Sequence, residues 1–321
     1  MNEMRGLMKR SLAGVFVFAA ACSSSASGPK LVAGFDPPPV EKGYVRLVAP
    51  EVDDVQPGDN LNLCQWLAPP AKDAGQVVDL KAYQGRGGHH FVLYATSEEM
   101  PIGESHICTT MDMLSVNFLG ATEAGGEGED DVSLPDGYAF DLPAGMWLMS
   151  NTHYLNASDD TYDTQSVVDI KYGDPKNPLA PVGFVAVNFD QFDIPPNQDL
   201  TMDAYCQLGQ DLSFFMWGDH MHQWGAGEFS EVIHADGTTT QMASDPIWSP
   251  ELTYNTPWVH WSPSTPFVVK ASDVFHLHCS WHNTTDTDIL FPTEMCVGSG
   301  MVLEGMPQAV CEANPTPPAS M

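Results

Sequence analysis

The segment Trp217-Gly-Asp-His-Met-His-Gln-Trp-Gly225 contains two histidines one residue apart. Side chains in an extended chain alternate faces with period two, so His220 and His222 point the same way and form a chelate. Imidazole suits zinc, copper, iron and nickel alike, so the spacing names no metal. Two polar strand residues beside aromatics satisfy the same pattern.

Further donors lie elsewhere. His89 and His90 follow Gly85-Arg-Gly-Gly88 at the mouth of a strand-like run. Adjacent side chains in a regular strand diverge, so both reach one metal only if the chain bulges or bends, and the glycines supply that freedom. His153, in Trp147-Leu-Met-Ser-Asn-Thr-His-Tyr154, offers a third imidazole in the same half of the chain. A single strand histidine is ordinarily a satisfied polar group, so His153 counts only beside the pair. Met295, in Phe291-Pro-Thr-Glu-Met-Cys296, carries a soft thioether that favours Cu(I). In a chain with 16 methionines most fill core, and composition gives Met295 no special claim.

The run His276-Leu-His-Cys-Ser-Trp-His282 is locally richer in donors. Its alternation puts His276 and His278 on one face and Phe275, Leu277 and Cys279 on the other, the pattern of a strand with a solvated side and a core side. A structural role is the better reading of it.

The elements that must position these residues are strands. Short apolar or alternating runs recur from Tyr44 onward, as in Tyr44-Val-Arg-Leu-Val48, His90-Phe-Val-Leu-Tyr94, Gly183-Phe-Val-Ala-Val187 and Leu212-Ser-Phe-Phe-Met-Trp217, separated by Pro, Gly, Asp and Asn. No segment of helical length carries a 3.6-residue period. The expected fold is all-β, two consecutive antiparallel β-sandwiches over residues 44–180 and 181–313. The proline-rich Gly173-Asp-Pro-Lys-Asn-Pro-Leu-Ala-Pro181 marks the boundary. The glycine-rich acidic run Glu123-Ala-Gly-Gly-Glu-Gly-Glu-Asp-Asp131 reads as a solvated loop ahead of a calcium site. Residues 314–321 form a loose tail.

A formal net charge of −30 excludes a nucleic-acid partner, which requires a cationic surface. The N-terminus reads as an export signal over residues 1–21: Arg5, Lys9 and Arg10 precede a short apolar run that ends at Cys22. Small residues before that cysteine resemble a bacterial lipobox, which implies cleavage before Cys22 and lipidation of its thiol. Residues 22–43 then serve as a Ser/Gly/Pro-rich tether. Cleavage removes three of 12 basic side chains and one of 42 acidic ones, leaving 9 against 41 and a net of −32. The expected location is outside the cytoplasm, periplasmic or at the cell surface, with the membrane touched only through the lipid. Acidity of this kind serves solubility and specifies no substrate. With Cys22 assigned to lipid, Cys64, Cys108, Cys206, Cys279, Cys296 and Cys311 remain, an even set that in an exported chain points to disulfides of open pairing.

The order of motifs is more specific than any one of them. Asn62-Leu-Cys64, His89-His90, Thr152-His-Tyr154, Ile194-Pro-Pro196 with Tyr205-Cys-Gln207, His220-Met-His222 and Glu294-Met-Cys296 follow one another as in the copper type II, ascorbate-dependent monooxygenases, the family of peptidylglycine α-hydroxylating and dopamine β-monooxygenases. The resemblance runs from about Tyr44 to Cys311. It implies two jelly-roll-like β-sandwiches that each hold one copper: His89, His90 and His153 for an electron-transfer copper, and His220, His222 and Met295 for a catalytic copper. It also implies the pairings Cys64 with Cys108, Cys206 with Cys311, and Cys279 with Cys296, the last bracing the loop that carries Met295. The implied reaction is hydroxylation of a C–H bond of a small organic substrate by O₂, with ascorbate or a similar reductant.

The chain departs from the peptide-hydroxylating members where they hold a peptide carboxylate. Gly218 stands in place of an arginine two residues before the H-x-H, and Val297 and Ser299 replace an asparagine and a tyrosine. Without a charge-assisted donor at that place a peptidylglycine substrate is not expected. Asn151 and Phe91 replace a glutamine and a methionine near the first three histidines, touching surroundings and not ligands. The alternative from another class is a non-catalytic copper-binding or copper-handling lipoprotein, which the same six residues would serve. A two-sandwich surface adhesin with incidental histidines would bind no stoichiometric copper.

Overall fold

The computed structural model describes residues 31–318 apart from 70, 110, 123–133 and 254. The signal-like segment, Cys22, residues 22–30 of the tether, the acidic loop and residues 319–321 lie outside the described residues. Regular structure among the described residues is almost entirely β, interrupted by short 3-10 turns such as Asp112–Ser115 and Pro250–Thr253. The all-β expectation therefore holds. Its cause is visible in strands such as Ala180–Asn188, where Val185 and Val187 enter the core while Phe184, Ala186 and Asn188 are only partly covered.

A ten-stranded sheet forms the spine. Its main path runs Tyr44–Val48, Ser166–Tyr172, Gly75–Gln84, Tyr138–Leu142, Ala180–Asn188, Val297–Val302, Leu212–His220, Val259–His260. A smaller sheet goes with each half. The first has five strands in the order Ser105–Ile107, Asn60–Ala68, Trp147–Leu155, Gly88–Thr96, Val116–Thr122; the second has four, Asp199–Cys206, Val274–His282, Gly225–Ile233, Thr239–Asp245. One core gathers Val77, Leu80, Phe91, Leu93, Val168 and Ile170 from the spine and the five-stranded sheet. The other gathers Val185, Val187, Trp217, Val232, Phe275 and Leu277 from the spine and the four-stranded sheet.

The two halves are thus not bodies joined by a linker. Position 180, expected at a boundary, begins the strand Ala180–Asn188, whose first residues pair in parallel with Tyr138–Leu142 through Ala180↔Tyr138, Pro181↔Ala139 and Val182↔Phe140. A second parallel pairing joins the same strand to Ala309–Glu312, so the antiparallel pattern has two exceptions. One sheet passes through both halves, and residues from Leu31 onward make one compact unit.

The strand that ends at His220 lies where the two cores meet. A register shift between Phe214 and Met216 in its pairing with Val297–Val302 changes which way consecutive side chains face. Phe214 and Trp217 enter the core of the second half, whereas Phe215 and Met216 enter that of the first. The strand is consequently covered on both faces. The three disulfides join Cys64 to Cys108, Cys206 to Cys311 and Cys279 to Cys296, the pairs that the resemblance implies.

Candidate metal centre

His89, His90 and His153 come together. Gly88–Thr96 pairs with Trp147–Leu155, and the register shifts between Gly88 and His90 so that His90 stands opposite His153. This bulge removes the alternation that would otherwise send His89 and His90 apart. The preceding glycines are required there: Gly87 has φ of +75°, and a Cβ on it would lie 2.9 Å from the Leu155 carbonyl oxygen and closer still to the Tyr162 hydroxyl. One ligating nitrogen from each of the three imidazoles fits within a mutual 4.8 Å. The Nδ1 atoms of His89 and His90 are 3.2 Å apart, and His153 Nε2 lies 2.5 Å from Asn60 Oδ1, which fixes that ring and leaves its Nδ1 as the donor to a metal.

The electrostatics suit a metal. Burial, with the neighbouring charges of His153 and His222 added, brings the His89 pKa down to about 3. Burial and His222 bring His153 down to about 4. Burial, then His153, His89, His220 and His222, hold His90 well below its ordinary value. Neutral imidazole is the form that ligates, so these rings are ready at neutral pH without displacing protons.

His220 and His222 occupy the end of Leu212–His220 and the turn after it, with ring centroids 5.2 Å apart. Met221 between them is fully buried in the second core, so the alternation expected of this segment is observed. The Nδ1–H of His222 donates to the Thr293 carbonyl at 3.0 Å, which leaves Nε2 for a metal. Burial, then the charge of His222 and that of His89, lowers His220 to about 3. Met295 precedes the strand Val297–Val302, in which Val297 stands opposite His220. The cystine of Cys279 and Cys296 ties the residue after Met295 to Val274–His282. The charge of His222 adds, after burial, to the lowering at His89, His90 and His153.

The rival histidines are otherwise engaged. His276 Nδ1 and Nε2 lie 2.9 Å from Glu231 Oε1 and 2.9 Å from Asp203 Oδ1, and its ring stacks on Tyr205 at 4.7 Å. His278 Nδ1 lies 2.7 Å from Asp203 Oδ1 and its ring stacks on Phe229 at 4.7 Å. Phe275, Leu277 and Cys279 fill the core on the opposite face. The core face is built as the alternation indicates, whereas the histidine face is not simply solvated, since His276 is itself buried.

Two features around the second pair are not evident from spacing. The first is Trp258, whose indole covers Gly218: a Cβ at 218 would lie 2.7 Å from Trp258 Cε3 and 2.6 Å from Thr256 Cγ2. An arginine at 218 has no room, so the missing carboxylate anchor is also sterically closed. The second is a set of buried carboxyls behind the strand. Asp219 and Glu228 are nearly inaccessible, and Asp219 Oδ2 and Glu228 Oε2 have no hydrogen-bond partner among the described residues. The acidic residue directly before the H-x-H is plain in the sequence, but its burial is not.

Burial, with the charges of Asp219, Asp245 and Glu294 added, pushes the Glu228 carboxyl well above its usual range. A raised folded value means that the native state keeps a proton that the unfolded chain releases above its ordinary pKa. Stability is therefore fullest below that ordinary value and declines as pH rises toward the folded value. Glu228→Gln, neutral at every pH, is expected to leave the melting temperature near that of the wild type at pH 4 and to raise it by about 3 °C or more at pH 8, the mark of roughly 1 kcal/mol or more relieved. Thermal melts across that range check it; a difference that does not grow with pH contradicts it.

No family model matches the chain, and no curated protein does. Solved structures with some likeness include PNGase F, a glycosylasparaginase from Flavobacterium meningosepticum, at 10% identity over 84% of this chain and 99% of that one, with a TM-score of 0.39. Recombinant N-glycanase F is similar at 11% identity over 85% and 100%, also with a TM-score of 0.39. An infectious bursal disease virus structure, Gx strain, follows at 10% identity over 83% and 74%, with a TM-score of 0.21. Likeness at this level carries no argument about activity.

Proposed function

We propose that this chain is an exported, lipid-anchored copper-dependent monooxygenase that hydroxylates a small organic molecule other than a peptidylglycine. The observation that carries the reading is the convergence of His89, His90 and His153 within a mutual 4.8 Å, in electrostatic reach of His220 and His222. The donor chemistry fits the metal: imidazoles at one site, and imidazoles with the thioether of Met295 at the other, suit copper and favour its lower oxidation state where sulfur joins.

Held by these residues, copper would supply one-electron chemistry with O₂, drawing on ascorbate or a similar reductant. The chain's own contribution is to hold ligands. Asn60 and the Thr293 carbonyl orient His153 and His222. Burial keeps the rings deprotonated. Trp258 over Gly218 presents an indole where a cation would grip a carboxylate, which favours an uncharged substrate there.

Metal analysis after copper reconstitution tests the reading. About two copper ions per chain are expected, one for each donor set, followed by ascorbate-driven O₂ consumption that forms hydroxylated product from a screened compound. A protein that takes up both ions and reoxidises without product from any compound would instead be a copper-handling lipoprotein. No stoichiometric uptake would end both readings.

A further inference from the structure

We infer that Glu294 is the positioning residue of the second site, a single carboxylate that fastens the H-x-H turn to the Met295 turn. The inference rests on the copper reading for its ligand and on hydrogen bonds for its mechanism. Glu294 has no exposed surface. Its Oε1 accepts from the backbone N–H of His222 and, at 3.0 Å, from that of Met295; its Oε2 accepts from the backbone N–H of Trp224 at 2.9 Å. Three amides from two segments some seventy residues apart thus converge on one side chain.

The ladder between these two strands does not join the two segments to each other. Leu212–His220 ends at His220, and Val297–Val302 begins at Val297. His222 and Met295 therefore both lie beyond the ladder that pairs His220 with Val297. Past that point the hydrogen bonds that join the two segments, among the described residues, are those of the Glu294 carboxylate and the bond from His222 Nδ1 to the Thr293 carbonyl. Two tryptophans steady the same backbone: Trp248 Nε1 donates to the His222 carbonyl at 3.0 Å and Trp281 Nε1 to the Met295 carbonyl at 3.3 Å.

A carboxylate is costly to bury, and a neutral side chain of the same size would fill the space. What an ionised carboxylate adds is acceptor capacity on both oxygens, with charge-assisted bonds to N–H groups. Glutamine keeps the shape but turns one acceptor into a donor, which then faces an amide N–H. Glu294→Gln should loosen the turns without emptying the core.

The test uses the full chain in two states. In the metal-free protein, hydrogen exchange at the amides of His222, Trp224 and Met295 should be at least about tenfold faster in Glu294→Gln than in the wild type, with other strand amides unchanged. In the copper-loaded, ascorbate-reduced protein, Cu(I) affinity at the second site, read by chelator competition, should fall about 10- to 100-fold. The sulfur scatterer seen by X-ray absorption should weaken, as in a Met295→Leu control, while affinity at the three-histidine site stays the same. Unchanged exchange, or an unchanged affinity and sulfur signal, overturns the inference. Equal loss at both sites does so too, since it marks general unfolding. A wild type that binds no copper, or has no sulfur scatterer, overturns the copper reading and with it the ligand role of the clasp; the exchange data then still decide whether the clasp exists.

Discussion

Replacing His220 with alanine is expected to lower copper content from about two ions per chain to about one and to reduce turnover of a proven substrate by more than about 100-fold, the upper end of the cost of losing a mere supporting group. The loss should be confined to the second site. His220 ends a strand whose ladder stops at Val297, and its ring is held neutral by burial, the condition for ligation. Alanine removes that donor and leaves His222 and Met295, which cannot alone hold copper as tightly. The three-histidine group is built on Gly88–Thr96 and Trp147–Leu155 and shares no strand with His220, so its ion should remain. Metal analysis and turnover on one preparation check both parts. Two coppers and undiminished turnover would falsify the assignment of His220 as a catalytic ligand.

The largest stability effect is expected from Trp217→Ala, at about 3–5 kcal/mol by comparison with other large-to-small core changes. Trp217 is fully buried three residues before His220. Its indole stacks on Phe275 at 5.6 Å and meets Phe214 edge-on at 5.2 Å. It also occupies the space that side chains at 298 and 300 would need: a Cβ on Gly300 would lie 2.8 Å from Trp217 Cε3. Truncation therefore opens a cavity bounded by two glycines that have nothing with which to fill it. It also strips Nε1 from Asp219 Oδ1 at 3.0 Å and from Ser230 Oγ at 2.8 Å, leaving polar groups unpaired inside. Denaturant unfolding should show the loss, and copper at the second site should weaken more than at the first. Trp217→Phe, which keeps part of the volume, should lose less. Equal stability of Trp217→Ala and wild type would mean that this packing is not what holds the strand.

How far the site was legible differs from residue to residue. The alternation of His220, Met221 and His222 could be read directly, because period two is a local property of extended backbone and Met221 is apolar. The bulge at His89 was legible as a requirement: two adjacent histidines share a target only if the strand breaks register, and glycines stand just before them. The structural role of His276 and His278 followed from Phe275 and Leu277 alternating with them. Trp258 was not legible, since it lies forty residues from Gly218 and meets it only through the fold. Nor was the partner of Glu294, which depends on two chain segments arriving at one point.

The sequence by itself determined the all-β class, the donor types and their order along the chain. Those properties are local, resting on strand periodicity, turn residues and the chemistry of imidazole and thioether. Tertiary structure decided how the halves are joined and which groups meet. A continuous sheet, not a boundary, occurs at position 180, because the strand Ala180–Asn188 satisfies its backbone with neighbours from both halves. The strand bearing His220 is held between two cores because a register shift at Phe214 turns Phe215 and Met216 toward the other one. Pairings of this kind are set by long-range backbone hydrogen bonds and side-chain volume, which no short stretch of sequence encodes.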